Sequence, residues 1–194
     1  MLLRSLVFVL LLAAVALADL TDAQILSALN SDRSGKELVT AKNVRILRPE
    51  LEGVILVGFL TGTRGALLGT VFVDGQKMIP GDACKAVLGK LGWEKAGSAD
   101  RQRLARLWVE KAQLAFEETL IDEKVPDFQL AGAPKFEKPK LESTAAGGVR
   151  LQGWIREDAG TQPGTNYRKA IYLFDADGRL VRVKMMDQYY VPSR

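Results

Sequence analysis

The chain has no histidine and a single cysteine in 194 residues. Each shortage removes a class of chemistry. Without histidine there is no Ser-His-Asp or Cys-His nucleophile. Zinc, copper and non-haem iron sites that use imidazole go with it, and so does an imidazole pH switch near neutrality. Cys84 has no second cysteine to bond within the chain, so packing rather than disulfides must hold the fold. Charge of one sign is also scarce: 27 basic residues face 23 acidic ones, a formal net charge of +4. Nucleic-acid binding calls for a dense basic stripe, and none is present, so no nucleic-acid partner is expected.

Long apolar runs are reduced to one. Arg4 precedes an uninterrupted stretch from Leu6 to Ala18, closed by Ala16-Leu17-Ala18. A charged start, a short apolar centre and an A-x-A end form a secretory signal. The run is 13 residues long, short of the roughly 20 that a spanning helix needs. The sequence therefore predicts a signal peptide over residues 1–18, cleaved after Ala18, and a mature chain over 19–194. Losing Arg4 leaves 26 basic against 23 acidic residues, or +3. The mature protein is expected in the periplasm or outside the cell. No transmembrane segment is expected to remain after signal removal.

What is present reads as one α+β domain. Thr21 and Gln24 have capping-box spacing, with Leu20 and Ile25 placed as a hydrophobic staple, ahead of a short helix carrying Ile25, Leu26 and Leu29. Strands are predicted at Val44–Leu47, Val54–Leu60 and Ala66–Val73. The second of these is apolar throughout, which implies cover on both faces. Asp74-Gly75 then signals a two-residue hairpin into Gln76–Ile79. Helices follow at Ala83–Leu91, and, with Ser98 as its N-cap, on to about Ile121 on a stripe of Ala105, Trp108, Val109, Ala112, Phe116 and Leu120. Residues 122–148 hold Pro126, Pro134 and Pro139, which bars helix and central strand, and read as an extended connector within the domain. A C-terminal three-stranded β-meander is expected over Val149–Glu157, Tyr167–Phe174 and Leu180–Val191. The predicted class is thus α+β, antiparallel sheets packed against two or three helices.

Candidate chemistry is sparse. Cys84 begins a helix beside Lys85, where a thiolate would be favoured, yet it shares an apolar stripe with Val87, Leu88 and Leu91 and reads as a small buried hydrophobe. Asp175-Ala176-Asp177-Gly178 starts like a calcium loop, but the twelfth position is Met186 rather than an acid; a polar hairpin turn explains it. The Gly58–Gly69 segment lacks the lysine and hydroxyl spacing of a phosphate loop, so Gly58 and Gly69 read as bulges or close approaches. The adjacent acids Glu117-Glu118 and Glu157-Asp158 have no identified partner carboxylate.

The meander carries one patterned feature. On its first strand Val149, Leu151 and Ile155 alternate with Arg150, Gln152, Trp154 and Arg156. On its last, Val181, Val183, Met185, Tyr189 and Val191 alternate with Arg182, Lys184, Gln188 and Tyr190. If the apolar sets form the core, Arg150, Arg156, Arg182 and Lys184 surround an outward Trp154. Lys169 or Arg168 joins them according to register. Arginines beside a flat ring suit an anionic or sugar-bearing ligand; a solvated sheet face accounts for the same alternation. The expectation is an exported, non-enzymatic binding protein with candidate ligand residues Arg150, Trp154, Arg156, Arg182 and Lys184, without cofactor or metal. Its partner would be an anionic polymer or another envelope protein. Two alternatives stand beside it: an accessory protein that binds another exported protein, and a histidine-free hydrolase working through carboxylates.

Overall fold

The computed structural model describes residues 20–31, 33, 37–60, 66–123, 134–157 and 164–192. The predicted signal segment, the Gly62–Gly65 part of the glycine-rich loop, Pro126 and Phe128 of the connector, and Asp158 lie outside the described residues.

Helix α1 (Asp22–Asn30) starts on the expected capping box: Gln24 N–H donates to Thr21 Oγ1 at 3.3 Å, and Thr21 N–H donates to Gln24 Oε1 at 2.8 Å. Nine residues are too few for a stable free helix, so burial of Ile25 and Leu29 supplies the rest, at roughly 1.5–3 kcal/mol for each such side chain. Four antiparallel strands follow in spatial order β1-β2-β3-β4: β1 (Val44–Leu47), β2 (Val54–Leu60), β3 (Ala66–Val73) and β4 (Gln76–Met78). Asp74 and Gly75 both take positive φ, 49° and 80°. That is the two-residue turn whose twist matches a hairpin.

The all-apolar β2 is covered on both faces, as its composition implies. Ile55 and Val57 pack with Phe72, Ile25 and Leu29 under α1. Val54 and Leu56 face the other way, into the main core. That core is built on two further helices, α2 (Pro80–Lys90) and α3 (Ser98–Trp108). Their far side meets a second antiparallel sheet, so Trp93, Trp108, Leu151, Ile155 and Tyr172 share one cluster with β2 and β3. The second sheet comprises β5 (Glu118–Leu120), β6 (Lys140–Ser143), β7 (Val149–Glu157), β8 (Gly164–Phe174) and β9 (Leu180–Pro192). Its order is β5-β7-β8-β9, with β6 also paired to β7. The α+β class and the C-terminal meander stand as read.

Two boundaries differ from the sequence reading. The expected long helix ends at Trp108, continues as a π-helical turn over Val109–Gln113, and gives way to β5. Glu117 in the intervening turn has φ of 66°, so Glu117 and Glu118 are not helical neighbours. The apolar stripe is buried all the same: Ala105, Trp108, Val109, Ala112, Phe116 and Leu120 all lie in the core. Glu118–Leu120 finds ladder partners on β7, and this tertiary pairing overrides local helix preference. Ser98 opens α3 without capping it; Gly97 occupies the cap position, and Ser98 Oγ lies 2.6 Å from Ser143 Oγ. The connector, for its part, contributes β6 at the sheet margin, a place where a strand beside proline is tolerated.

Glycine fits the first sheet as expected. The β2–β3 register shifts between Val57 and Gly58. A Cβ on Gly58 would come 2.7 Å from Phe116 Cε1, and one on Gly69 would come 2.4 Å from Phe59 Cδ2. Only a residue without Cβ lets these rings cross the strands. Among the described residues no helix is long and apolar enough to cross a membrane.

Candidate binding face on the C-terminal sheet

β7, β8 and β9 have an inner face toward α2 and α3 and an outer face away from them. Val149, Leu151 and Ile155 of β7 join the core as expected. Alternation then puts Arg150, Gln152, Trp154 and Arg156 outward. Register builds two cross-strand rows there. One runs Glu142–Arg150–Leu173–Arg182, the next Lys140–Gln152–Ile171–Lys184. Arg150, Arg182 and Lys184 thus share one face with Lys140, around half-buried Ile171 and Leu173. Arg150 donates to Gln152 Oε1 at 2.7 Å and lies 3.5 Å from Glu142 Oε2. No acid engages Arg182 or Lys184 among the described residues.

The aromatic centre expected for this face is not offered to solvent. Trp154 is 1% exposed. It packs with Ile121, Tyr167 and Val191, with Phe136 and Tyr189 laid against them. The connector's return toward β6 carries Phe136 over the ring, and Glu137 accepts from Lys169 Nζ at 2.8 Å. Half of the outer face is therefore a second small core. Arg156 sits beside it, between Thr119 and Tyr167 in register, apart from the Arg150–Arg182–Lys184 group.

Register also decides which β8 cation faces outward. Lys169 opposes Trp154, while Arg168 opposes Ile155 and points inward. Arg168 there forms an ion pair with Glu118, whose own register partner is Glu157. Burial, against the attraction of Arg168 and with some help from Glu157, pushes the Glu118 carboxyl above its ordinary range. The two acids read separately in the sequence are thus neighbours in space, but Glu118 is taken up by a guanidinium rather than left free for chemistry.

β9 departs from simple alternation. Register shifts between the Arg168 and Ala170 pairs, and again between Leu173 and Phe174. Each inserts an extra β9 residue, and a one-residue insertion swaps the faces beyond it. Tyr189 and Val191 therefore lie outward with Tyr167 instead of sharing a face with Val183 and Met185. Val183 and Met185 point inward yet stay 41% and 46% exposed, because the helical layer does not reach them.

Other features settle as structural. Cys84 is fully buried, its Sγ 3.2 Å from Gly178 O, and burial raises its thiol far above the reactive range. In the β8–β9 turn Asp175 Oδ1 accepts from the N–H groups of Asp177 and Arg179, at 3.0 and 2.9 Å. Gly178 there has φ of 80°, and Trp93 Nε1 donates to Ala176 O at 2.8 Å. That is a braced turn rather than a cation loop.

Sequence reasoning missed a cleft of about 740 Å³ at the far end of the first sheet, floored by Leu51, Val54, Ile55 and Val87. Its floor joins two segments distant in sequence, residues 51–55 and α2, so no local pattern marks it. Four of the five charges that line it are already matched: Arg48 with Asp22 at 2.8 Å, Glu50 with Lys111 at 3.0 Å, and Lys90 with Asp74. The basic half-face has the opposite character, with Arg182 and Lys184 engaged by no acid among the described residues. Compared with protein-family models, with curated proteins and with solved structures, the chain finds no match in any of the three.

Proposed function

We propose that this chain is an exported, non-enzymatic binding protein that takes an anionic ligand on the outer face of its C-terminal sheet. The observation that carries this reading is the convergence of Arg150, Arg182 and Lys184 from β7 and β9 onto one exposed half-face. Cations held by a sheet at fixed spacing need little ordering to meet an anion, and guanidinium groups bind carboxylate, sulfate or phosphate oxygens through charge-assisted bonds. Ring stacking on a sugar is not part of the proposal, because Trp154 lies beneath the connector. Export rests on the signal-like segment at residues 1–18.

The test is retention of residues 19–194 on an immobilised anionic glycan across a salt gradient, beside the double variant Arg150→Glu with Arg182→Glu. Retention that falls with salt and disappears in the variant supports the reading. Equal, weak elution of both would reduce the face to a solvated surface.

A further inference from the structure

The second sheet has two very unequal margins. One is formed by β5 and β6, of three and four residues, and β6 carries Lys140 and Glu142. The margins of the first sheet, β1 and β4, have four and three residues. Short, charged edges are how proteins keep strands from recruiting other chains. The remaining margin, β9, is 13 residues long, and among the described residues it pairs only with β8. Val181, Val183, Met185 and Met186 along it are 41–51% exposed. Two bulges interrupt it, and the stretch between them, Arg182–Met185, keeps a regular unpaired edge with Val183 and Met185 exposed, a template for strand addition.

We infer that the free edge of β9 over Arg182–Met185, the regular stretch between its two bulges, accepts an added β-strand from a partner protein, an extended segment alternating acidic and apolar residues. This rests on the basic-face reading above and specifies its ligand. A strand laid against β9 puts alternate side chains on opposite faces of the sheet. On the outer face its neighbours are Arg182 and Lys184, which no described acid engages, with Arg150 two strands further in. Acids belong there, since opposite charges across a strand pair attract and like charges repel. On the inner face its neighbours are Val183 and Met185, uncovered by the helices, and apolar side chains belong there. Backbone bonds to the edge supply affinity, and the alternation supplies selectivity. The bulge at Val181 starts the regular stretch and the bulge between Met185 and Gln188 ends it, which limits the partner segment to about this length.

The experiment titrates the mature chain with a fluorescein-labelled peptide of alternating glutamate and valine, followed by anisotropy. Comparison probes are the same peptide N-methylated at alternate backbone nitrogens, a lysine–valine peptide, and polyglutamate. Two surface variants run alongside: Val183→Lys, and Arg182→Glu with Lys184→Glu. The inference expects the glutamate–valine peptide to bind at least about tenfold more tightly than its N-methylated form. Val183→Lys should abolish binding, and the charge-reversed variant should prefer the lysine–valine peptide. If polyglutamate binds equally well, and neither N-methylation nor Val183→Lys matters, the edge inference is overturned while the basic face stands. If no anionic probe binds, both fall. Sedimentation equilibrium closes the remaining case: a dimer lost in Val183→Lys, with no peptide binding, would assign the edge to a second copy and overturn the partner strand.

Discussion

Glu118 of β5 and Arg168 of β8 form an ion pair on the inner face of the C-terminal sheet, reaching over β7, with only 12% and 21% of their side chains exposed. Such a pair adds little to stability relative to an apolar replacement of both, but removing one member strands the other. Arg168→Met should therefore cost about 3 kcal/mol, read from denaturant midpoints at neutral pH. Glu118→Gln together with Arg168→Met should recover a large part of that loss.

The same pair makes a pH prediction. The Glu118 carboxyl lies above its ordinary value of 4.5 because burial outweighs the attraction of Arg168, with Glu157 adding to the rise. The folded state thus holds that proton more tightly than the unfolded chain does. Stability from this group is fully present below the unfolded value and is lost as pH rises through the folded one. In Arg168→Met the attraction is gone and the rise is larger. The variant should regain stability on acidification toward the ordinary carboxyl range more steeply than the parent, and Glu118→Gln should flatten that slope. Urea midpoints across the window check both.

Trp154 separates the binding face from the small core beside it. Trp154→Phe should lower stability by about 1–3 kcal/mol because the ring is packed among Ile121, Tyr167 and Val191. Retention on the anionic glycan should not change. A loss of retention without a loss of stability would return the ring to the site.

Gly58→Ala should destabilise by about 1–3 kcal/mol through overpacking, since the new methyl would sit 2.7 Å from Phe116 Cε1 and 2.9 Å from the Ala66 Cβ. Phe116→Leu in the same chain makes room. The double mutant should then be less destabilised than the sum of the single changes, which a double-mutant cycle measures.

Cys84 should resist alkylation in the native chain and react with one equivalent of reagent once unfolded in guanidinium. Its thiol is fully buried and shifted away from the reactive thiolate. Labelling at native rates equal to those of a free thiol would contradict this.

Local rules carried the sequence reading a long way. Thr21 and Gln24 spell a cap in four residues, Asp74-Gly75 spells a hairpin turn, and the unbroken apolar run of β2 requires cover on both faces. These are short-range facts of hydrogen bonding, backbone sterics and periodicity, so composition and spacing suffice. Alternation on β7 likewise put Arg150 outward, and the missing histidine removed whole classes of chemistry before any coordinate was needed.

Tertiary structure decided the rest, where the determining contact is distant in sequence. Glu118–Leu120 leaves the helical pattern because β7 offers it a ladder. Register sends Arg168 inward to Glu118 and leaves Lys169 outward, and the bulges of β9 swap Tyr189 and Val191 to the other face. Trp154 shows the limit most plainly. Its strand position alone predicts an exposed ring, but Phe136, eighteen residues earlier, folds over it, because a large apolar surface gains more from cover than from water.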